Sequence, residues 1–293
     1  MVQIYQNQIY YLNIINFFYL TSISNQTYMT ELKIYFTSVK GRRESNEDRH
    51  NVILNINDED TKINPINLFG IYDGHGGSWV SKYLEVNIPN YYMNKKFIPP
   101  FDKEFHTKVF QLIQSQLLKN DLGYSNGSTC LLNIMYKYKN EIFMNVVNLG
   151  DSRMTIVDTN GISKSVTKDH KPDDTVEEYR LKKMGGEIYK DSEGVVRIGD
   201  LSLSRAFGDG DNAPYISQKP DIFFKKITPQ TKYIVMACDG LWDIVESEDL
   251  GKVINKILKA NPKLDNLAVE LAKYALNEGS GDNVSVIVIE VIH

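Results

Sequence analysis

Acidic residues at strand ends and turns are the side chains of this chain best suited to chemistry. They are Glu47 with Asp48, Asp73, Asp151, Asp239 and Asp282. Carboxylates in such number suit a hard divalent cation, because Mg²⁺ and Mn²⁺ prefer carboxylate, carbonyl and water oxygens. Carboxylates that converged without a cation would repel one another and lose hydration. Considered singly, however, an aspartate beside a glycine is more typical of a turn.

Four short segments around these residues outweigh the turn interpretation because they occur together. In chain order they read D-G-H-G-G, G-D-S-R, A-C-D-G and G-D-N. Turns seldom supply this combination in one chain. The segments resemble those of the metal-dependent protein phosphatases of type 2C. With family-like spacing, the match runs from residue 38 to residue 289 and covers most of the chain.

The resemblance implies metal-dependent hydrolysis of phosphoserine and phosphothreonine in phosphoprotein substrates. In this family two ions share a bridging water, whose lowered pKa supplies hydroxide for direct attack on phosphorus. The implied cofactor is Mg²⁺ or Mn²⁺, two ions per site with a third ion in a weaker site. The implied ligands are Asp73 for both ions, Asp239 and Asp282 for one, and Glu47 with the carbonyl of Gly74 for the other, while Asp48 holds a metal-bound water.

Two further matches concern the phosphate and the leaving group. Arg43 stands four residues before Glu47 and matches the family's phosphate-gripping arginine, whose planar fork suits two phosphate oxygens. The alternative for Arg43 is a solvated surface charge. His75 follows Asp73 and Gly74 and resembles the family's general acid for the departing alkoxide. Its alternative is a metal-ligand role.

Three more positions match the family. Asp151 and Asp243 correspond to residues that help Asp239 to hold the third ion. Arg205 lies in LSLSRAFGD, which is another family motif. The alternatives for Arg205 are a substrate-binding role and a structural role.

Strand and helix patterns place these residues at the ends of regular elements. Apolar runs bounded by turn residues predict strands over residues 32–40, 52–56, 66–72, 128–138, 141–148, 152–158, 232–237 and 282–292. Helical patterns cover residues 78–86, 101–119, 173–184, 247–258 and 264–276. Gly185 and Gly186 should end the third of these helices.

The order of these elements predicts the fold class. Strands at both ends of the chain, with pairs of helices between runs of strands, indicate an α+β sandwich rather than an alternating parallel sheet. The resemblance specifies a four-layer αββα sandwich, in which helices flank two antiparallel sheets. We expect one catalytic domain over residues 31–293. Residues 169–199 carry little strand signal and are expected to form a flap beside the site.

Charge and cysteine content exclude several other functions. The net charge of -4 argues against bulk attraction to nucleic acid or to an anionic membrane. Cys130 and Cys238 are too few for a disulfide framework and suit a cytoplasmic or nuclear compartment. Neither has an arginine six positions later, since Tyr136 and Ile244 stand there, which excludes a cysteine-based phosphate loop. We expect the protein to act as a monomer.

Residues 1–30 differ from the rest of the chain because they contain no charged side chain. The apolar run at residues 9–20 is too short to span a bilayer, and it lacks the basic start of a signal peptide. Membrane association or export is therefore the minor alternative. We interpret residues 1–30 as an extension, either non-native or disordered, with Met29 as an alternative start.

Two other functions remain as alternatives. A catalytically inactive homologue could bind partners through the same fold, although every matched ligand is present in this chain. A hydrolase of nucleotides or small phosphate esters could use the same two-metal chemistry. The chain has no G-x-x-x-x-G-K-[ST] loop for a nucleoside triphosphate and no G-N-H-E segment of other dimetal phosphatases.

Overall fold

Two five-stranded sheets form the centre of the computed structural model, which describes residues 31–56, 66–93 and 99–292. The expected N-terminal extension lies outside these residues. The strands are β1 (Glu31–Val39), β2 (Arg49–Ile53), β3 (Ile66–Tyr72), β4 (Gly74–His75), β5 (Gly127–Ser128), β6 (Cys130–Tyr138), β7 (Glu141–Leu149), β8 (Arg153–Asp158), β9 (Ser163–Ser165), β10 (Ile188–Lys190), β11 (Val196–Ile198), β12 (Phe207–Gly208), β13 (Asp221–Lys226), β14 (Thr231–Ala237) and β15 (Val284–Ile292). The helices are α1 (Trp79–Tyr92), α2 (Lys103–Leu117), α3 (Leu122–Ser125), α4 (Thr175–Lys183), α5 (Asp239–Trp242), α6 (Leu250–Ala260) and α7 (Leu267–Asn277).

The two sheets are antiparallel and pack face to face. One runs β1-β15-β14-β8-β9 and the other runs β13-β7-β6-β3-β2. Neighbouring strands are antiparallel throughout both sheets. A buried layer between them takes Phe69 and Met144 from one sheet and Ile234 and Ile287 from the other. Because side chains alternate along a strand, the remaining residues face outward.

Helices cover the two outer faces of the sandwich. Helices α1 and α2 pack on the sheet that contains β3 and β6, with Leu84 and Phe110 in this layer. Helices α5, α6 and α7 pack on the sheet that contains β14 and β15, with Trp242 and Leu271 in this layer. The predicted α+β class, with its four-layer αββα sandwich, is therefore confirmed.

Helix α1 begins within the predicted segment 78–86 and continues beyond it to Tyr92. Leu84, Ile88 and Tyr92 are spaced four residues apart and are buried, so one apolar face runs through Pro89. The Tyr92 hydroxyl lies 2.9 Å from Nδ1 of His106, which ties the end of α1 to α2. The packing of this face outweighs the cost of an internal proline.

Several short strands were not predicted. Strand β13 lies at the edge of its sheet, where it pairs with β7. Strands β10 and β11 form a hairpin inside the expected flap, next to α4. Strands β4, β5 and β12 form a separate small sheet of two-residue strands. The strands of two or three residues are too short to show a period of two in the sequence.

Candidate active site

The predicted metal ligands gather at one end of the sandwich, where strand ends of both sheets meet. Asp73 follows β3, Asp239 follows β14, and Asp282 lies just before β15. A cavity of about 470 Å³ opens at this end. Its lining includes Arg43, Glu47, Asp73, Gly74, His75, Asp151, Asp239 and Asp282. The structure therefore brings eight of the predicted site residues into one cavity.

Two groups of three side chains at this end are close enough to hold an ion. Carboxylate oxygens of Asp73, Asp151 and Asp239 lie within 4.8 Å of one another. The same limit holds for ligand atoms of Asp48, Asp73 and Cys238. Asp73 is common to both groups, which fits the bridging position that the family resemblance implies.

Glu47 and Asp282 line the cavity but belong to neither three-residue group among the described residues. The Glu47 carboxylate accepts hydrogen bonds from the backbone N–H of Gly77 at 3.0 Å and from the hydroxyl of Ser45 at 3.2 Å. Asp282 accepts a hydrogen bond from Nη2 of Arg43 at 2.6 Å. Protein donors thus hold both carboxylates at the cavity wall, and their roles as ligands stay predictions.

Burial, together with the charges of neighbouring carboxylates, raises the pKa values of Asp73 and Asp239 well above the ordinary range. Burial is the largest cause for both residues. The next cause is the charge of Asp48 for Asp73 and the charge of Asp151 for Asp239. A bound divalent cation would offset this cost, because it would attract the carboxylates that now repel each other.

An unpaired oxygen tests whether divalent ions fit this set of donors. Asp48 is buried, and its Oδ2 accepts a hydrogen bond from the Ser285 hydroxyl at 2.6 Å. Its Oδ1 has no hydrogen-bond partner within the described ranges. Burial raises the pKa of Asp48 to about 6. A buried oxygen of this kind is costly unless a donor or an ion binds it, so the site fits Mg²⁺ or Mn²⁺ with its water.

His75 has a partner that sequence reasoning missed. Its Nε2 lies 2.8 and 2.9 Å from the two carboxylate oxygens of Asp209, which is itself buried. Burial lowers the pKa of His75, but the hydrogen bond and charge of Asp209 help to raise it, and the net pKa lies above the ordinary value. Asp209 therefore orients the imidazole and favours its protonated form.

The small sheet of β4, β5 and β12 makes this contact possible. His75 in β4 pairs with Gly127 in β5, and β12 ends one residue before Asp209. A Cβ at Gly127 would lie 2.1 Å from Nε2 of His75 and 2.3 Å from Oδ2 of Asp209, so only glycine leaves room for the pair. The Gln114 side chain binds both backbone groups of Gly208, at 2.8 and 2.9 Å. In the sequence, Asp209 is visible only as the last residue of the motif LSLSRAFGD. Nothing in that motif indicates that Asp209 contacts His75.

A lysine that sequence reasoning also missed neutralises part of the acidic cluster. Lys171 donates a hydrogen bond to Asp151, and its Nζ lies 4.0 Å from Oδ2 of Asp239. Burial lowers the pKa of Lys171, but these carboxylates raise it more, so the ammonium stays charged. Asp243, expected to help hold a third ion, belongs to neither three-residue group in the described part of the chain. Lys171 thus lies beside the expected third site.

Arg205 is committed to other side chains rather than to the cavity. Its guanidinium donates to Glu177 through Nε at 3.0 Å and through Nη2, and to Asp221 through Nη1 at 3.0 Å. Glu177 also accepts hydrogen bonds from Arg180. Arg205 is buried and is not among the described residues that line the cavity. These contacts favour its structural alternative, because they tie α4 of the expected flap to the body of the sandwich.

Comparison with known proteins decides the family. A family model described as protein phosphatase 2C matches residues 32–284. The chain belongs to the type 2C protein phosphatase family. The resemblance inferred from four short motifs is thereby confirmed, and the chain stands among the protein phosphatases.

Individual type 2C relatives are similar over most of this chain. It is 32% identical over 264 residues to the probable protein phosphatase 2C 45 of Oryza sativa subsp. japonica, which covers 88% of this chain and 87% of that protein. It is 30% identical over 274 residues to protein phosphatase 2C homolog 3 of Schizosaccharomyces pombe. That match covers 87% of this chain but only 64% of the yeast protein, so this chain is shorter than some relatives.

Solved structures share the fold. A serine-threonine phosphatase 2C from Toxoplasma gondii has a TM-score of 0.73 at 22% identity, covering 90% of this chain and 95% of that chain. A C. elegans sex determining protein has a TM-score of 0.76 at 25% identity, covering 88% of this chain and 64% of that chain. Across the ranges that the structure describes, no helix is long and apolar enough to cross a membrane.

Proposed function

We propose that this type 2C phosphatase hydrolyses phosphoserine and phosphothreonine in proteins by direct attack of water, with two Mg²⁺ or Mn²⁺ ions. The observation that carries the proposal is the convergence of carboxylates from both sheets on one open cavity. Asp73 and Asp239 have strongly raised pKa values there. A strongly perturbed acidic cluster in a cleft is typical of a functional site, and cations would relieve its repulsion.

Five groups would hold the two ions. Asp73 would contact both ions, Asp239 and Asp282 one of them, and Glu47 with the Gly74 carbonyl the other. When bound, the ions lower the pKa of water to supply hydroxide and neutralise the phosphate. Gly74 has a steric reason to be glycine, since a Cβ there would lie 2.6 Å from the carbonyl oxygen of Glu47.

Asp48 would orient water rather than bind an ion directly. Its Oδ2 is fixed by the Ser285 hydroxyl, which leaves Oδ1 to accept a hydrogen bond. Asp73 is its neighbour in the same group. A water that donates to Oδ1 would therefore be held next to Asp73.

Arg43 would bind the substrate phosphate at the cavity mouth. Its side chain is 62% exposed, and its guanidinium contacts Asp282 at 2.6 Å. An exposed ion pair is worth at most about 1 kcal/mol, so a phosphate can replace Asp282 at little cost. The planar guanidinium can then donate to two phosphate oxygens. Its neighbour Arg42 is not among the described residues that line the cavity.

His75 would protonate the oxygen of the departing serine or threonine. Because Nε2 donates to Asp209, Nδ1 is the nitrogen left to carry that proton. The residue lines the cavity, so the substrate oxygen can approach the imidazole. Asp209 would act as a positioning residue, since it fixes the ring and stabilises its charge.

Other features of the proposal concern the wider protein. A third ion held by Asp151, Asp239 and Asp243 would have to compete with the Lys171 ammonium. We place the catalytic domain at residues 31–293, with residues 169–199 as a flap. Its partners would be phosphoproteins rather than nucleic acid, in keeping with the net charge of -4. We also propose that the protein acts as a monomer in the cytoplasm or nucleus.

Initial rates on three substrates test the proposed substrate class. A phosphothreonine peptide, a phosphoserine peptide and a nucleoside monophosphate are compared at saturating Mn²⁺. We expect turnover of both peptides and a much lower kcat/KM for the nucleotide. Faster hydrolysis of the nucleotide would favour the small-ester hydrolase. No turnover of any substrate by folded, Mn²⁺-bound protein would favour the inactive homologue.

A further inference from the structure

Two carboxylates at the cavity mouth have no role in the proposed reaction. Glu44 lies in the loop between β1 and β2, and Asp200 lies in the segment that follows β11. Both residues line the cavity, and both are exposed. Neither side chain has an ion pair or a hydrogen bond within the ranges that the structure describes. Their charges are therefore free to interact with a bound peptide.

The backbone around Asp200 is held in one conformation by several hydrogen bonds. Gly199 and Asp200 form a two-residue turn, because the residues on either side of them exchange two backbone hydrogen bonds at 3.0 and 3.2 Å. Gly199 has a φ of 56°, at the position where such a turn favours glycine. The carbonyl of Asp200 accepts a hydrogen bond from Nη1 of Arg197 at 2.8 Å. The carbonyl of Gly199 accepts one from the Tyr189 hydroxyl at 2.9 Å. Asp200 thus lies at the tip of a turn that is tied to both β10 and β11.

Most other charges of the cavity have a partner or a ligand role. The two proposed ions would balance the carboxylates of Glu47, Asp73, Asp239 and Asp282. Arg43 is assigned to the substrate phosphate. Arg197 also lines the cavity, but its Nε donates to Asp191 at 2.7 Å, so its charge is compensated within the flap. Glu44 and Asp200 therefore add uncompensated negative charge to the entrance.

Uncompensated carboxylates at the entrance oppose a substrate whose phosphate carries about two negative charges. Positive side chains in the peptide would turn this repulsion into attraction, because complementary charges favour association and select between partners. We propose that Glu44 and Asp200 select phosphopeptides that carry arginine or lysine next to the phosphorylated residue. The inference rests on the proposed function, since it names the substrates of that site.

Initial rates on three phosphothreonine peptides test this selection. The peptides differ only in the residues on both sides of the phosphothreonine, which are arginine, alanine or glutamate. Selectivity is the ratio of kcat/KM for the arginine peptide to that for the alanine peptide, at saturating Mn²⁺ and low ionic strength. It is measured for the wild type, Asp200→Asn and Glu44→Gln. Glu193→Gln is the matched control, since Glu193 is an exposed carboxylate of the β10–β11 turn and is not among the described residues that line the cavity.

We expect the wild type to hydrolyse the arginine peptide fastest and the glutamate peptide slowest. Asp200→Asn and Glu44→Gln should each lower the selectivity by roughly 2–5-fold, which is the range of one exposed ion pair. Glu193→Gln should leave it unchanged, and Asp200→Lys should raise kcat/KM for the glutamate peptide. Added salt should bring the wild-type selectivity towards one, because salt screens exposed charges.

Equal kcat/KM for the three peptides, or a preference for the glutamate peptide, would overturn the proposal. Wild-type selectivity in both Asp200→Asn and Glu44→Gln would overturn it as well. The alanine peptide has no flanking charge, so its hydrolysis reports on the proposed function separately from the selectivity. If none of the peptides is hydrolysed, the proposed function fails, and the ratio of their dissociation constants from fluorescence anisotropy decides the selection by the same criteria.

Discussion

Replacing His75 by alanine should slow the enzyme by a factor that depends on the leaving group. Serine leaves as a strongly basic alkoxide and needs a proton, whereas nitrophenolate can depart unaided. General acid catalysis contributes about 10²–10⁴-fold, or about 3–5 kcal/mol of barrier. We expect His75→Ala to lose this factor on a phosphoserine peptide and much less on nitrophenyl phosphate.

The same substitution has a stability effect that the structure also sets. It leaves the buried Asp209 carboxylate without the imidazole that now lies 2.8 Å away. An unsatisfied buried group costs about 1–3 kcal/mol. For a chain of this length that cost lowers the Tm by about 2–12 °C. Adding Asp209→Ala should recover part of the loss, because it removes the unpaired charge.

The assay compares kcat/KM for both substrates at saturating Mn²⁺, and calorimetry measures the affinity for Mn²⁺. The two substrates serve as controls for each other, since a folding defect would slow both equally. An equal loss on both substrates, together with weaker Mn²⁺ binding, would refute the acid role. His75 would then be a support of the metal site, which is the alternative left open by the sequence.

Three further substitutions test the metal site, the flap and the core. Asp239→Asn should abolish phosphopeptide hydrolysis but preserve the circular dichroism spectrum, because it removes a charged ligand and relieves carboxylate repulsion. Glu177→Gln should lower the free energy of unfolding in urea by about 3–5 kcal/mol, since the buried Arg205 and the half-buried Arg180 lose their carboxylate. Glu178→Gln on the same helix, the matched control, should change it by less than about 0.5 kcal/mol. Burial lowers the pKa of His106 from 6.5 to about 4 in the folded chain. As the pH is lowered from 6.5 to 4, His106 therefore becomes protonated in the unfolded chain but stays neutral in the folded chain. The free energy of unfolding should fall by about 3 kcal/mol over this range. His106→Gln should flatten that part of the pH profile of urea unfolding.

Residues whose role depends on local context could be predicted from the sequence. Asp73 and Asp239 each adjoin a glycine just after an apolar strand, Asp282 adjoins a glycine just before one, and all three line the cavity. Gly185 and Gly186 end α4 as expected, with Gly185 at a φ of 80° and its N–H bonded to a carbonyl of the last turn. Both features depend only on a few consecutive residues, so the local sequence pattern is enough to predict them.

Residues whose role depends on distant contacts could not be predicted in this way. Asp209 meets His75 across 134 positions of sequence, through strands of two residues each. Arg205 lies in a motif that the sequence shows, but its salt bridge with Glu177 is visible only in the structure. The distance of Cys238 from Asp48 and Asp73 depends on how β14 lies beside β15, and the sequence gives no signal for it.

Phosphate release from a phosphothreonine peptide as a function of Mn²⁺ concentration tests the central claim most directly. The protein is first stripped with a chelator, and Mn²⁺ is then added back to the wild type and to Asp239→Asn. The carboxylate cavity predicts no turnover by the stripped wild type, recovery that saturates with Mn²⁺, and no recovery by the variant. Equal turnover with and without Mn²⁺, or wild-type turnover by Asp239→Asn at saturating Mn²⁺, would contradict it.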